Sequence, residues 1–172
     1  MLCSTKMVRD VLLAPSDTTG AEGLKYDDGK PKLSLLDPDM LVCLMPADTH
    51  RDIVAIARQV CFVGHCGEID SITFQCASAI AKIRCFIGSE HAIKFCCMGL
   101  EYGMQKYSRN NWKAGFTWSR LIDAALRHIV LGVAQGEDID PESGNPHWGH
   151  ALCMLMFLQH GLDCHEDKND IF

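Results

Sequence analysis

Several patterns that would classify this chain at once are missing from it. No G-x-x-x-x-G-K-[ST] run occurs, which excludes a Walker-type nucleotidase. No G-x-S-x-G nucleophile elbow occurs either. No stretch approaches the roughly 18 apolar residues that a spanning helix needs. The opening MLCSTKMVRDVLLAP lacks the sustained apolar core of a secretory signal. A cytoplasmic protein with reduced cysteines is therefore expected. None of the ten cysteines forms a C-x-x-C pair. Cys61 and Cys66 around His65 come nearest to zinc spacing, but small buried apolar residues are the preferred reading of the cysteines. Basic excess is missing too: the net charge is -6, which disfavours general nucleic-acid binding. Proline is scarce, at six residues, and with 48% hydrophobic content this argues against overall disorder.

What is present is enough apolar sequence for one domain with a real core in 172 residues. The spacing of apolar residues is helical rather than alternating. Asp48 or Thr49 caps a predicted helix through Val63, and Asp70 or Ser71 caps the next through Ile87. A third runs from Ser89 to Tyr107. A fourth runs from Trp118 to Ala134, ended by Gly136, and a fifth from His147 to His160, ended by Gly161. FVGHC and ITFQC also admit a short β reading. The expectation is a mainly α fold: a compact bundle of about five helices with an extended N-terminal arm. Residues 1–24 form the arm, 25–165 the helical domain and 166–172 a polar, solvated tail. Leu33, Leu35 and Leu36 are expected to dock the segment after the arm.

Charged groups gather between two apolar segments from Gly99 to Leu158. They are Asp123, Arg127, His128, Glu137, Asp138, Asp140, Glu142, His147 and His150. Charge among apolar helical residues costs several kcal/mol unless it is paired or metal-bound. Asp123 and Arg127 lie four apart on one helical face, as an ion pair or as site residues. His147 and His150 lie three apart and can point one way. Imidazole suits first-row divalent metals and carboxylate suits Mg²⁺ or Mn²⁺, so the mixed set favours a divalent ion. The loop Glu137–Gly144 holds four carboxylates in six residues, of which Asp140 and Glu142 are the preferred site residues. Its spacing is not that of an EF-hand. Lys25, Lys30, Lys32, Lys106 and Arg109, with Arg127, could neutralise a triphosphate. Tyr107 and Trp112 could stack a purine, though Trp112 reads equally well as a core anchor. His160 and His165 read as surface residues.

Two blocks carry a resemblance. One is KYDDGKPKLSLLDPDM, Lys25 to Met40. The other runs through Lys106-Tyr107, Asn111-Trp112, Arg127-His128, Gly136-Glu137, Asp140 to Gly144, then His147 and His150. In this order the pieces resemble the phage dATP/dGTP diphosphohydrolases, grouped with the MazG-like all-α nucleotide pyrophosphohydrolases. The paired-glutamate helices of typical MazG proteins do not occur here, so the resemblance assigns metal binding to Asp123, Glu142, His147 and His150. It implies catalytic roles for Asp123, Arg127 and Glu142. It implies substrate contacts from Lys25, Lys30, Lys106, Tyr107, Asn111, Trp112 and His128. The implied activity is Mg²⁺- or Mn²⁺-dependent hydrolysis of a purine (deoxy)nucleoside triphosphate to monophosphate and pyrophosphate. The implied partners are the nucleotide and further copies of the chain, with no nucleic acid and no membrane, in the cytoplasm of an infected bacterium. Two other readings stay open: a non-catalytic protein that sequesters nucleotides in phage–host conflict, and a structural helical oligomer.

Overall fold

The computed structural model describes residues 29–172. The expected arm, residues 1–24, and Lys25 lie outside the described residues. Among the described residues six α-helices form: α1 Pro38–Leu44, α2 Arg51–Val63, α3 Ile69–Ile87, α4 Ser89–Lys106, α5 Trp118–Leu126 and α6 His147–Cys164. Among the described residues there is no strand, only an isolated bridge between Ile139 and Pro146. FVGHC and ITFQC lie in or beside helices α2 and α3. The described chain is all-α, in keeping with its apolar spacing, and among the described residues no helix is long and apolar enough to cross a membrane.

Each boundary has a local cause, and several differ from the sequence expectation. Helix α1 is an addition. Asp37 caps it, accepting from the Asp39 and Met40 amides at 2.9 and 3.4 Å, and Pro38 occupies the first turn. His50, not Asp48 or Thr49, caps α2, its Nδ1 accepting from the Asp52 amide at 3.2 Å. Gly88, at φ +87°, turns the chain between α3 and α4, a backbone region that side chains disfavour. After Leu126 the helix does not stop; it widens into a π-helical turn, Arg127–Gly132, and then tightens into a 3-10 turn, Val133–Gln135. Gly161, expected as a stop, lies inside α6. It serves packing there: a Cβ would sit 3.3 Å from the buried Trp118 indole nitrogen.

Helix α6 is the centre of the bundle, packed against α3, α4 and α5. Trp118, Leu121, Ile122 and Leu126 of α5, with Leu155 and Leu158 of α6, fill the interior against Ile72, Ile83 and Val60. Leu33 and Leu36 dock on this core as expected, but Leu35 faces out, 77% exposed. The C-terminal residues are tied to the body: Asp170 accepts from the Ser119 amide at 2.9 Å, and Ile171 packs on the core. His160 and His165 are half-buried. His160 meets the Trp112 ring edge-on at 5.1 Å, and His165 bonds the Lys113 carbonyl at 2.9 Å.

Helices α4 and α6 cross at glycines. A Cβ on Gly149 would clash with the Phe95 carbonyl oxygen, and one on Gly99 would lie 3.0 Å from the Cys153 sulfur. Gly149→Ala must therefore push two helices apart; the expected cost is about 1–3 kcal/mol, the range for an overpacked interior. Thermal unfolding followed by circular dichroism would show it as a lowered Tm, and an unchanged Tm would refute the crossing. Burial also fixes thiol reactivity. It pushes Cys76 up to about 12, and burial together with Asp37 and Asp123 pushes Cys61 up to about 11. At pH 8 neither carries appreciable thiolate. Alkylation of the native protein followed by mass spectrometry should mark the exposed Cys43, Cys85 and Cys97 first, and Cys61 and Cys76 only after denaturation.

Candidate active site

The widened turn after α5 and the start of α6 bring three imidazoles together. A π-turn inserts one residue into the helical register and so rotates the residues after it, a device common at functional sites. His128 lies in this turn and meets His147 and His150 of α6, which are buried at 5% and 8% exposure. The His128 and His150 rings stack at 4.7 Å between centroids, and His128 Nδ1 lies 2.9 Å from His147 Nδ1. Gly132 makes room for this. A Cβ there would stand 2.7 Å from three atoms of the His147 ring.

The acidic loop closes over the same place and is not a free solvated turn. Gly136 and Gly144 take positive φ at its two ends. The Asp140 amide bonds the Asn145 carbonyl at 2.8 Å, and the His147 amide bonds the Asp138 carbonyl at 3.0 Å. Asn145 Nδ2 ties the loop to the Met98 carbonyl of α4 at 3.1 Å. Asp140 is thereby held beside the rings. Its Oδ2 accepts from the Ser143 hydroxyl at 2.6 Å and the Ser143 amide at 3.0 Å, and the same hydroxyl meets His150 Nε2 at 2.7 Å. Burial by itself would raise the Asp140 carboxyl. The Ser143 hydrogen bonds and the His128 and His150 imidazoles outweigh it, and the carboxyl settles below its ordinary value.

His128, Asp140 and His147 each offer one ligand atom, all within 4.8 Å of one another. Their chemistry fits a divalent cation. The two Nδ1 atoms, now 2.9 Å apart at hydrogen-bond distance, would hold such an ion together with the Asp140 carboxylate. A second observation agrees. The buried His147 Nε2 has no hydrogen-bond partner among the described residues, while Glu137 Oε2 lies 3.4 Å away, outside hydrogen-bond geometry. A histidine ligating through Nδ1 carries its proton on Nε2 and needs such a carboxylate behind it.

Beside this group opens a cleft of about 590 Å³. Lys30, Lys106 and Arg127 bring positive charge to it; Tyr107, Asn111 and Trp112 line it further along. Lys106 pairs with Glu142, and Tyr102 donates to the same carboxylate at 3.1 Å. The Lys106 bond, with help from Tyr102, holds Glu142 below the usual carboxylate range against partial burial, and raises Lys106 in turn. Trp112 stacks on Phe157 at 5.3 Å and 6°, so it is a core anchor and a cleft wall at once.

Most residues expected at the site thus meet at one cleft: Lys30, Lys106, Tyr107, Asn111, Trp112, Arg127, His128, Glu142, His147 and His150 all line it. Asp123 does not. Its Oδ1 accepts the Ser34 amide at 2.8 Å, and the carboxylate beside the imidazoles is Asp140. Lys32 is exposed, and Arg109 lines the cleft. Sequence reasoning missed Ser143, Tyr102 and Gly132. Ser143 stood in the Asp-x-Glu-Ser-Gly run; Gly132 and Tyr102 had no local signal, because their roles depend on residues far along the chain.

A family model described as dATP/dGTP diphosphohydrolase, N-terminal, matches residues 77–171. A dATP/dGTP diphosphohydrolase of Salmonella phage PMBT28 is 46% identical over 59 residues, which is 34% of this chain and 20% of that protein. The chain thus matches about one fifth of the length of that curated relative. No solved structure matches. The matched family segment holds α4, the π-turn, the acidic loop and α6, with all three imidazoles and Asp140, and on that span the chain belongs to the dATP/dGTP diphosphohydrolase N-terminal family.

Proposed function

We propose that this chain hydrolyses purine deoxynucleoside triphosphates, releasing the monophosphate and pyrophosphate, with a divalent ion held by His128, His147 and Asp140. The observation that carries the reading is the convergence of those three groups at the wall of a cleft that Lys30, Lys106 and Arg127 also line. The family description supports the substrate class. Two imidazoles and one carboxylate favour Mn²⁺, with Mg²⁺ as the alternative. When bound, such an ion polarises a phosphoryl oxygen and lowers the pKa of a water.

The chain's own residues supply the rest. Ser143 and His150 fix the Asp140 carboxylate, and Glu137 stands behind the His147 ring. Lys30, Lys106 and Arg127 face the charge that spreads over phosphate oxygens during transfer. Lys106 holds Glu142 until an incoming phosphate competes for it, which releases a carboxylate inside the cleft as a proton acceptor. Trp112, Phe116 and Phe157 give the far end of the cleft a flat apolar surface suited to a purine.

Calorimetric titration with Mn²⁺ tests the metal set. His147→Ala should weaken binding by at least about tenfold, and Gly132→Ala should weaken it in the same direction by displacing the ring. Equal affinity in the wild type and both variants would remove the assignment. The reaction is tested by chromatography of dATP and dGTP after incubation with protein and Mn²⁺ or Mg²⁺. Deoxynucleoside monophosphate and pyrophosphate are the expected products. Deoxynucleoside diphosphate and free phosphate would place the attack at the terminal phosphorus and overturn the reading.

A further inference from the structure

Helix α5 carries one buried acid that the proposed chemistry does not use. Asp123 is 4% exposed, among buried Leu121, Ile122, Ala124, Ala125 and Leu126. A carboxylate in such surroundings costs several kcal/mol unless a donor meets it. The donor is the backbone amide of Ser34, at 2.8 Å and 89 residues away in sequence. One turn further on, the Arg127 guanidinium donates to the Pro31 carbonyl at 3.0 Å. From α2 and the residues just after it, the Cys61 thiol donates to the Leu36 carbonyl at 3.1 Å, and His65 Nε2 lies 2.9 Å from the same oxygen. Side chains of the bundle thus grip the backbone of residues 31–36 at three points. Lys30 is the next residue, and it lines the cleft.

We infer that Asp123 is a positioning residue: with Arg127 it clamps the N-terminal strap, residues 30–36, to the bundle, and so delivers Lys30 to the phosphate end of the cleft. The role of Lys30 toward phosphate rests on the proposed function; the clamp itself does not. The strap lies outside the segment matched by the family model, residues 77–171, whereas Asp123 and Arg127 lie inside it. The clamp therefore joins to the family segment a cation that the segment lacks. The requirement at position 123 is for an acceptor, not for a charge or a metal ligand. Asparagine offers the same Oδ1 acceptor in nearly the same shape.

The test uses the full chain, with hydrogen exchange of the strap amides and calorimetric binding of inorganic triphosphate. Asp123→Ala should speed exchange at Ser34 and weaken triphosphate binding by about tenfold, the loss of one hydrogen bond to a charged group. Lys30→Ala should weaken binding equally while leaving Ser34 exchange unchanged. The double variant should be no weaker than either single one, because a released strap no longer presents Lys30. Asp123→Asn should match the wild type in both measurements; this also serves if Asp123→Ala unfolds. Three results would overturn the inference: Asp123→Asn as weak as Asp123→Ala with the strap still protected, additive losses in the double variant, or no triphosphate binding by the wild type. If dATP and dGTP are not hydrolysed while these patterns hold, the hydrolase reading fails and the clamp stands.

Discussion

The close approach of α4 and α6 governs most of what this molecule can do. Gly149 lets the Phe95 carbonyl of α4 come against the α6 backbone where no side chain would fit. Gly149 lies between His147 and His150, so the seating of α6 against α4 also sets the height of both imidazoles. Gly99 receives Cys153 at the same crossing, and Asn145, just before α6, reaches the Met98 carbonyl of α4. A small-residue crossing thus fixes the first turn of α6, and the first turn of α6 forms one wall of the site. Interiors are packed too densely for such a contact to be loosened without moving its neighbours.

The polar interior obeys a second constraint, that a buried donor or acceptor must find its partner. Asp140 is met by Ser143, and Ser143 by His150, so the acidic loop becomes a fixed wall and not a solvated turn. Asp123 is met by the Ser34 amide and draws the strap onto the bundle. Among the described residues three buried side-chain atoms lack a hydrogen-bond partner: Trp118 Nε1, Gln159 Oε1 and His147 Nε2, the last with Glu137 nearby but out of hydrogen-bond geometry. Of these three atoms only the one on His147 belongs to a residue of the possible ligand group with His128 and Asp140.

Charge is arranged along the cleft with the same logic. The Lys106–Glu142 pair lies within it, with Lys30 and Arg127 supplying further cations, and the Trp112–Phe157 stack lines the same cleft. The proposed nucleotide has a polyanionic part and a flat apolar part, and the cleft lining holds cations and aromatic rings that could meet each. The net charge of -6 is compatible with it, because the basic groups are gathered locally.

The amino-acid sequence by itself determined that the chain is helical, since apolar residues recur at helical spacing in Ile53–Val60, Ile72–Ile83 and Trp118–Leu126, and local periodicity needs no tertiary partner to be read. It also determined which chemical groups are present, and the ordered run from Lys106 to His150 was legible because those motifs are short and contiguous. The tertiary structure alone decided how they are used. The π-turn that contains His128, the glycine that admits the His147 ring, and the choice of Asp140 over Asp123 as the carboxylate grouped with His128 and His147 all depend on contacts between distant residues. Asp123 shows the reason most plainly. In sequence it is an acid four residues from an arginine on a helical face, the same for a catalyst, an ion pair or a clamp; only the arrival of the Ser34 amide from 89 residues away tells them apart.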